Sequence, residues 1–390
     1  MKKVYWRPRT VSRTALLLIA MLAVASLVVS EFTKSVQERP YGDVKLAAAQ
    51  TAQKAFDVIK EARIEAGPPI DSEHDPLDTG VIGLPNSVIT SVHGVLPAKQ
   101  VSVNPNFAAV IVELLKEAGA KEGDVVALGL SGSFPALNTC SIVACETLGL
   151  EPLIISSASA SEWGANVPHL MWIDMERILN EKEIIHSRSL AVSPGGMEDE
   201  GPATREGMEA VREGVDRNGL KFIEGKTLEE HVKKRREIYR EALAGRPIKV
   251  YINVGGGATS VGTHIGKDLF NPGLNLVAPP RAERIPGVMP QLAMEGVPCI
   301  HLVNIVNLAA RFGLLESLEE PNEQGDEFKQ LRTPGEAGIF EGIEYSKPIV
   351  AASLASIVAA LWGFIRTDIG FRLLRGGASR KAAGPPEPMV

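Results

Sequence analysis

Cysteine is scarce in this chain, with three in 390 residues. Three cysteines are too few for a disulfide framework in a protein of this size. Cys140 and Cys145 lie five residues apart on one predicted helix, where their side chains face different sides. Cys299 lies in an apolar strand pattern. All three are predicted to be small buried side chains.

The middle of the chain lacks an excess of basic residues. The ends are basic, with +5 over residues 1–30 and +3 over residues 366–390, and the whole chain carries −6, so residues 31–365 carry −14. Binding to nucleic acid needs a concentrated positive surface, which excludes nucleic acid as a partner. Any anionic ligand must therefore be bound locally.

Charge is absent from two apolar segments, residues 14–30 and 348–365. Each is about long enough to cross a bilayer, and Lys and Arg that flank such segments stay in the cytoplasm. The flanking basic residues are Lys2, Lys3, Arg7, Arg9 and Arg13 at one end, and Arg366, Arg372, Arg375, Arg380 and Lys381 at the other. The sequence predicts a membrane protein with two spans, cytoplasmic termini and an extracytoplasmic main domain.

Each apolar segment also has an alternative interpretation. Ala23-Val24-Ala25 fits the cleavage site of a removed signal peptide, although apolar residues continue to Val29. The C-terminal segment is rich in Ala and Ser, which is also typical of a buried core helix.

Breaks in composition predict seven regions. They are a basic segment with a transmembrane helix (1–30), a stalk helix and acidic linker (31–79), a first α/β unit (80–192), a loop and helical insertion (193–247), a second α/β unit (248–346), a transmembrane helix (347–365) and a disordered basic tail (366–390). Carboxylates surround His74 in the linker, where a solvated loop is expected. No metal or cofactor site is predicted.

The fold class predicted is α/β, with a Rossmann-like parallel-sheet ectodomain. Nearly continuous apolar strands alternate with helices, which is typical of a parallel sheet covered on both faces. Strand 124–130 leads to loop 131–138 and a helix, and strand 248–254 leads to loop 255–262. The two units predict two similar halves with a cleft between them.

The two loops are the candidate ligand-binding segments. Ligands of such sheets bind beyond the carboxyl ends of the strands, where backbone N–H groups and helix N-termini converge. Neither loop is a P-loop, because no Gly-Lys-Ser/Thr follows. An anion such as a carboxylate or phosphate is expected, and tight packing is the alternative reason for the small residues. The candidates are Ser131, Gly132 and Ser133 in the first loop, and Gly255, Gly256, Gly257, Thr259 and Ser260 in the second.

A catalytic role for Ser131 is the competing hypothesis. Gly129 to Ser133 resembles the nucleophile elbow of α/β hydrolases, except that Ser133 replaces the last glycine. His169, His264 and His301 are the candidate bases. His264 follows the second loop and would face Ser131, whereas His301 in an apolar strand is expected to be a core histidine.

Three long motifs carry a resemblance to a known family. They are DTGVIGLPNSVITSVHG, NPNFAAVIVELLKEAGAKEGDVVALGLSGSFPALN and LEPLIISSASASEWGANVPHLMWIDME. Behind an N-terminal anchor, they resemble the poly-gamma-glutamate system proteins, bacterial accessory proteins of poly-gamma-glutamate synthesis. The resemblance covers most of residues 1–365 and is sharpest over 78–176. Ser131 to Ser133 and Asn138 fit the family pattern, which adds Asn138 to the candidate ligand-binding residues.

The resemblance implies a membrane-anchored accessory component of polymer synthesis, export or retention. Its partners would be poly-gamma-glutamate or another carboxylate-bearing ligand, other membrane components of the pathway and the lipid bilayer. The charge of −14 repels a polyanion at long range, so binding must be local or assisted by cations. A serine-type amide hydrolase or transferase acting on the polymer and a non-catalytic assembly scaffold are the alternatives.

Overall fold

The computed structural model describes residues 13–318 and 328–367. The chain divides into two units, one of Met1–Gln37 with Gly342–Val390 and the other of Glu38–Glu341. The helices are α1 (Arg13–Phe32), α2 (Gly42–Ala66), α3 (Leu96–Ser102), α4 (Phe107–Glu117), α5 (Pro135–Thr147), α6 (Trp172–Glu181), α7 (Arg205–Arg217), α8 (Leu228–Leu243), α9 (Ala258–Val261), α10 (His264–Leu269), α11 (Val288–Met294), α12 (Ile305–Arg311) and α13 (Lys347–Thr367). The strands are β1 (Ser35–Glu38), β2 (Thr90–Val92), β3 (Val125–Leu130), β4 (Glu151–Ser157), β5 (Ala160–Ser161), β6 (Asn166–Val167), β7 (Leu170–Met171), β8 (Ser189–Ser193), β9 (Lys221–Phe222), β10 (Ile248–Val254), β11 (Gly273–Asn275), β12 (Cys299–Leu302), β13 (Leu315–Ser317), β14 (Phe328–Gln330) and β15 (Glu341–Glu344).

A seven-stranded sheet forms the centre of the unit Glu38–Glu341. Its order is β11-β12-β10-β3-β4-β8-β9, and every pair is parallel except the edge pair β11 and β12. All residues of β3 are buried, because helices cover both faces. The prediction of an α/β fold with a Rossmann-like parallel sheet is confirmed, apart from the antiparallel edge strand β11.

The strand order places the two predicted α/β units side by side in one sheet. From β3 the chain moves outward through β4, β8 and β9, and it then returns to form β10 on the other side of β3. Gly129 of β3 pairs with Asn253 of β10 and with Ile155 of β4. The order therefore reverses between β3 and β10, which is where open α/β sheets bind their ligands.

Helix α2 is part of the core, so the prediction of a stalk helix within the region 31–79 is wrong. Its residues Ala48, Ala52, Ala55 and Ile59 are fully buried, and it packs against α4 and α5. Small alanine side chains allow the helix to lie close to its neighbours. Buried Lys45 of α2 also forms an ion pair with the carboxylate of Glu113 in α4, at 2.6 Å.

Residues 193–247 are not an insertion, contrary to the prediction. This region contributes strand β9 to the central sheet, and α8 packs on strands β4 and β8. The hydroxyl of buried Tyr239 in α8 donates a hydrogen bond of 2.6 Å to the carbonyl of Leu128 in β3. Thr227 caps the N-terminus of α8, because its Oγ1 accepts the N–H of Glu230, and the Glu230 carboxylate accepts the N–H of Lys226.

The unit with both chain ends contains the apolar helices α1 and α13, which pack against each other. Over the described residues, one helix, Lys347–Phe364, is long and apolar enough to cross a membrane. The apolar stretch of α1, Leu16–Phe32, is shorter than this. The prediction of a span is therefore supported at the C-terminal end. The N-terminal basic segment before Arg13 and the predicted tail beyond Thr367 lie outside the described residues.

All three cysteines are free and buried, which confirms the prediction from the sequence. Burial raises the pKa of each thiol well above its usual range. They are therefore unreactive in the folded protein.

Candidate functional site

A cleft of about 1090 Å³ lies at the carboxyl ends of the central strands. Its lining comes from the loops that follow β3, β4, β8, β10 and β12, together with β2, α3 and α8. The predicted residues that line it are Ser131, Ser133, Gly255, Gly256, Gly257, Thr259 and Ser260. The two predicted loops therefore share one cleft.

The first loop is packed tightly against the segment after β4. A β-carbon on Gly132 would lie 2.6 Å from the carbonyl oxygen of Ser159, so this position has no room for a side chain. Ser131 Oγ accepts the N–H of Ser133 at 3.2 Å. The amide of fully buried Asn138 donates a hydrogen bond of 2.8 Å to the Ser131 carbonyl. Asn138 thus holds the loop in position from the buried side, and it does not line the cleft.

The second loop meets the first at Gly255. This residue has a φ of 81°, and a β-carbon there would lie 3.7 Å from Ser131 Oγ. Ser260 Oγ is hydrogen-bonded to the hydroxyl of Tyr251 at 2.6 Å, so its role is structural. Helix α9 has four residues, because Gly262 with a φ of 92° ends it. Helix α9, which lies within the predicted loop 255–262, is therefore too short to bind an anion through its dipole.

The histidines give Ser131 no base in the described part of the structure. His301 Nδ1 accepts a hydrogen bond from Asn253 Nδ2 at 2.8 Å, and Nε2 donates to the carbonyl of Lys267 at 3.1 Å. Burial lowers the pKa of His301 to about 4, so it is the predicted neutral core histidine. His169 is exposed and lies outside the cleft lining. The side chain of His264 lies outside the described residues, and its pairing with Ser131 stays a prediction.

Arg235 and its neighbours form a buried charged cluster that the sequence did not reveal. Arg235 of α8 is 3% exposed, lines the cleft and donates through Nη2 to Ser193 Oγ. The same nitrogen lies 3.8 Å from Asp199 Oδ2, whereas His231 Nδ1 lies 2.8 Å from that oxygen. Among the described residues, Arg235 Nε has no hydrogen-bond partner. The hydrogen-bond donors of the Arg235 guanidinium are therefore only partly paired within the described part of the protein.

The protonation of this cluster follows from its contacts. Burial by itself would raise the pKa of Asp199, but Arg235, His231 and Ser193 outweigh it and lower the pKa to about 2. The contact with Asp199 raises the pKa of His231, against the effect of burial. When His231 is protonated, two positive groups face one carboxylate, and the cluster carries a net positive charge.

Lys99 of α3 is a second buried basic residue of the cleft that the sequence did not reveal. It is 3% exposed and lines the cleft. Its Nζ lies 2.8 Å from Ser161 Oγ, contacts the carbonyl of Ser133 and lies 3.9 Å from the centre of the Phe134 ring. The residues next to Lys99 in the sequence do not indicate that it is buried, because its burial depends on β5 and on the first loop.

Most of the acidic segment before the sheet is exposed, as predicted, whereas Asp75 is buried and accepts hydrogen bonds from Thr79 and Gly80. Asp71, Glu73 and His74 place ligand-type atoms within 4.8 Å of one another. His74 Nδ1 lies 2.6 Å from Asp71 Oδ2, and the His74 ring lies against Trp163. These contacts are enough to explain the arrangement without a metal.

The fit of Gly132 can be tested by substitution. Gly132→Ala is expected to lower the free energy of unfolding by about 1–3 kcal/mol, because the new methyl group meets backbone oxygen atoms. Gly257→Ala is the matched control, since a β-carbon there has no atom within 4 Å. Denaturant unfolding of the full chain in detergent measures both. Equal stability of the two variants would contradict the packing of the first loop.

Comparison with protein-family models, with curated proteins and with solved structures gave no match to this chain. The geometry of the fold and of the cleft is therefore the basis for a functional proposal.

Proposed function

We propose that this protein is a membrane-attached accessory component that binds a carboxylate-bearing ligand in the cleft between β3 and β10. The observation that carries the proposal is Arg235, a buried guanidinium that lines the cleft with its Nε unpartnered within the described residues. A planar guanidinium can bind a carboxylate through two parallel hydrogen bonds.

The balance of charge in the cluster supports an anionic ligand. Asp199 lies closer to His231 than to Arg235, so it compensates Arg235 only in part. A buried charge without full compensation is unfavourable, and a ligand carboxylate would remove this cost. Exposed Glu198 and Asp268 lie at the lining of the cleft as well. The basic residues Lys99 and Lys267 line the cleft as well, so positive charge is gathered inside it, which agrees with a local site on an acidic protein.

Poly-gamma-glutamate is the ligand that fits this proposal best. Every residue of that polymer carries a free carboxylate. The serine side chains of the lining offer hydroxyl groups to the amide groups of the polymer. The motifs that resemble the poly-gamma-glutamate system proteins include the first cleft loop. The protein would then act together with other membrane components of polymer synthesis, export or retention.

We further propose that α1 and α13 both lie in the bilayer. The support is that the two helices pack together and that their apolar side chains remain exposed, including Leu27 at 68% and Leu354 at 63%. Tyr345 donates a hydrogen bond of 3.1 Å to Glu31, at the ends of the two helices. With two spans and basic flanks, both termini would be cytoplasmic and residues 38–341 extracytoplasmic.

The role of Arg235 can be tested by calorimetry with γ-linked glutamate oligomers on the detergent-solubilised full chain. Arg235→Met is expected to weaken binding about 10- to 100-fold, because hydrogen bonds to charged groups contribute about 1.5–3 kcal/mol. Arg235→Lys should also bind more weakly, since it keeps the charge but loses the planar fork.

Arg236→Met is the matched control. Arg236 is the next residue on α8, and its side chain bonds to Glu295 away from the cleft. Its affinity is expected to equal that of the native chain. Native affinity in Arg235→Met, or no binding by the native chain, would reject the proposed function.

A further inference from the structure

Lys99 is a buried amine that has no acidic partner. Over the described residues, no carboxylate lies within ion-pair distance of its Nζ, and a charged lysine is rarely buried without one. Burial lowers the pKa of Lys99 to about 7. A substantial fraction of the side chain is therefore a neutral amine near pH 7, with a lone pair that can accept a proton.

The hydroxyl group of Ser161 is close enough to Lys99 to donate a proton to its neutral amine. Its Oγ lies 2.8 Å from Lys99 Nζ, which is within the distance expected for a nucleophile and its base. Ser161 Oγ also lies 3.3 Å from the carbonyl of Glu162. The hydroxyl proton can therefore point to Glu162 while Lys99 is charged, and to Lys99 Nζ when the amine is neutral. Both side chains line the cleft.

We propose that Lys99 and Ser161 form a catalytic pair for acyl transfer at an amide or ester carbonyl, with Ser161 as nucleophile and Lys99 as general base. Serine–lysine pairs replace serine–histidine pairs on several unrelated folds. The inference rests on the proposed function only for the identity of the substrate, which would be a γ-glutamyl amide.

The reaction balances with the groups of the pair and water. Lys99 Nζ takes the Ser161 hydroxyl proton as Oγ forms a bond to the carbonyl carbon. The C–N bond then breaks, and the leaving amine takes the proton from the Lys99 ammonium. Lys99 next removes a proton from water, or from the amine or hydroxyl of an acceptor, which attacks the acyl group. The Oγ–C bond breaks, and Ser161 regains its proton from Lys99.

The segment after β4 connects this pair to the proposed anion site. Ser157 Oγ lies 3.5 Å from Arg235 Nη2, and Ser161 contacts Lys99. Four residues span at most roughly 14 Å, so the two ends of this segment lie within the length of a short oligomer. A ligand carboxylate on Arg235 would thus bring a neighbouring carbonyl toward Ser161.

A fluorophosphonate probe tests the pair without any polymer. On the full chain in detergent, Ser161 Oγ should displace fluoride from phosphorus, and mass spectrometry should locate the adduct on Ser161. The rate should increase as pH rises through about 7, where Lys99 loses its proton. Lys99→Met and Lys99→Arg should both lower the rate at least about 100-fold, since neither acts as a base at this pH. Ser161→Ala should abolish labelling.

The controls are substitutions at exposed positions. Lys54→Met and Ser72→Ala change surface residues outside the cleft and should label at the native rate. Circular dichroism establishes that each variant is folded. Labelling at other serines, no labelling, or labelling that is unchanged in folded Lys99→Arg would overturn the pair.

A thiol reports on the pair independently of the serine chemistry. In Ser161→Cys, iodoacetamide should alkylate Cys at position 161, because the native cysteines are buried. Adding Lys99→Met should slow this alkylation more than tenfold at pH 7, since a nearby cationic amine favours the thiolate. Equal rates with and without Lys99 would also overturn the pair. Polymer binding without labelling would reject this pair alone, and labelling without polymer binding would reject the proposed ligand alone.

Discussion

Ala52→Glu is expected to destabilise the protein by roughly 3–5 kcal/mol, the cost of an uncompensated buried charge. Ala52 is fully buried on α2, in the core that this helix forms with α4 and α5. A glutamate side chain has neither space nor a partner there. Thermal or denaturant unfolding of the full chain in detergent measures the loss.

Lys54→Glu introduces the same side chain on the exposed side of α2. It is expected to change the free energy of unfolding by no more than about 0.5 kcal/mol, as surface substitutions usually do. If α2 were a solvated stalk, both variants would be as stable as the native chain. The comparison therefore decides between the core helix and the stalk.

Glu176→Gln is expected to stabilise the protein at alkaline pH, by up to roughly 3 kcal/mol. Glu176 is fully buried, and burial raises its pKa to about 7, against the hydrogen bonds from the N–H and Oγ of Ser189. The folded pKa lies above the unfolded value of 4.5, so the native chain loses stability as pH rises from about 4.5 through 7. Glutamine does not ionise, and it can both accept from the Ser189 N–H and donate to Ser189 Oγ.

The measurement is the difference in unfolding free energy between the variant and the native chain, from pH 5 to pH 9. This difference should grow with pH and level off above about 8, because Glu176 is then ionised. Glu65→Gln, at an exposed position on α2, should give a difference that does not depend on pH. A flat difference for Glu176→Gln would show that the carboxyl group has the same pKa in the folded and unfolded chains, and it would contradict the effect of burial.

The sequence predicted the parts of the fold in which local pattern and burial agree. Strand β3 is an unbroken apolar run with both faces covered, and its successor loop consists of small residues. These signals located the sheet, and the strand-to-helix loops located the cleft.

Helix α2 shows where sequence pattern falls short. Its buried face consists largely of alanine, which occurs equally well on exposed and buried sides of a helix. Its polar residues suggested a solvated helix. Burial of Lys45 depends on Glu113, and that pairing is set by the packing of α2 on α4.

The charged residues of the cleft could not be predicted for a related reason. Lys99 and Arg235 lie on helices, in segments whose local patterns are ordinary. Each acquires its properties from loops that are distant in sequence, Ser133 and Ser161 for Lys99, and Ser193 and Asp199 for Arg235. Desolvation of such groups is a property of tertiary packing.

The burial of Cys140, Cys145 and Cys299 has a practical consequence for membrane sidedness. The folded protein presents no accessible native thiol in its described part. A cysteine introduced at exposed Ser72 would therefore be the one thiol there that reacts with a membrane-impermeant maleimide. Intact and permeabilised cells, treated in parallel, would then reveal from which compartment the main domain is reached.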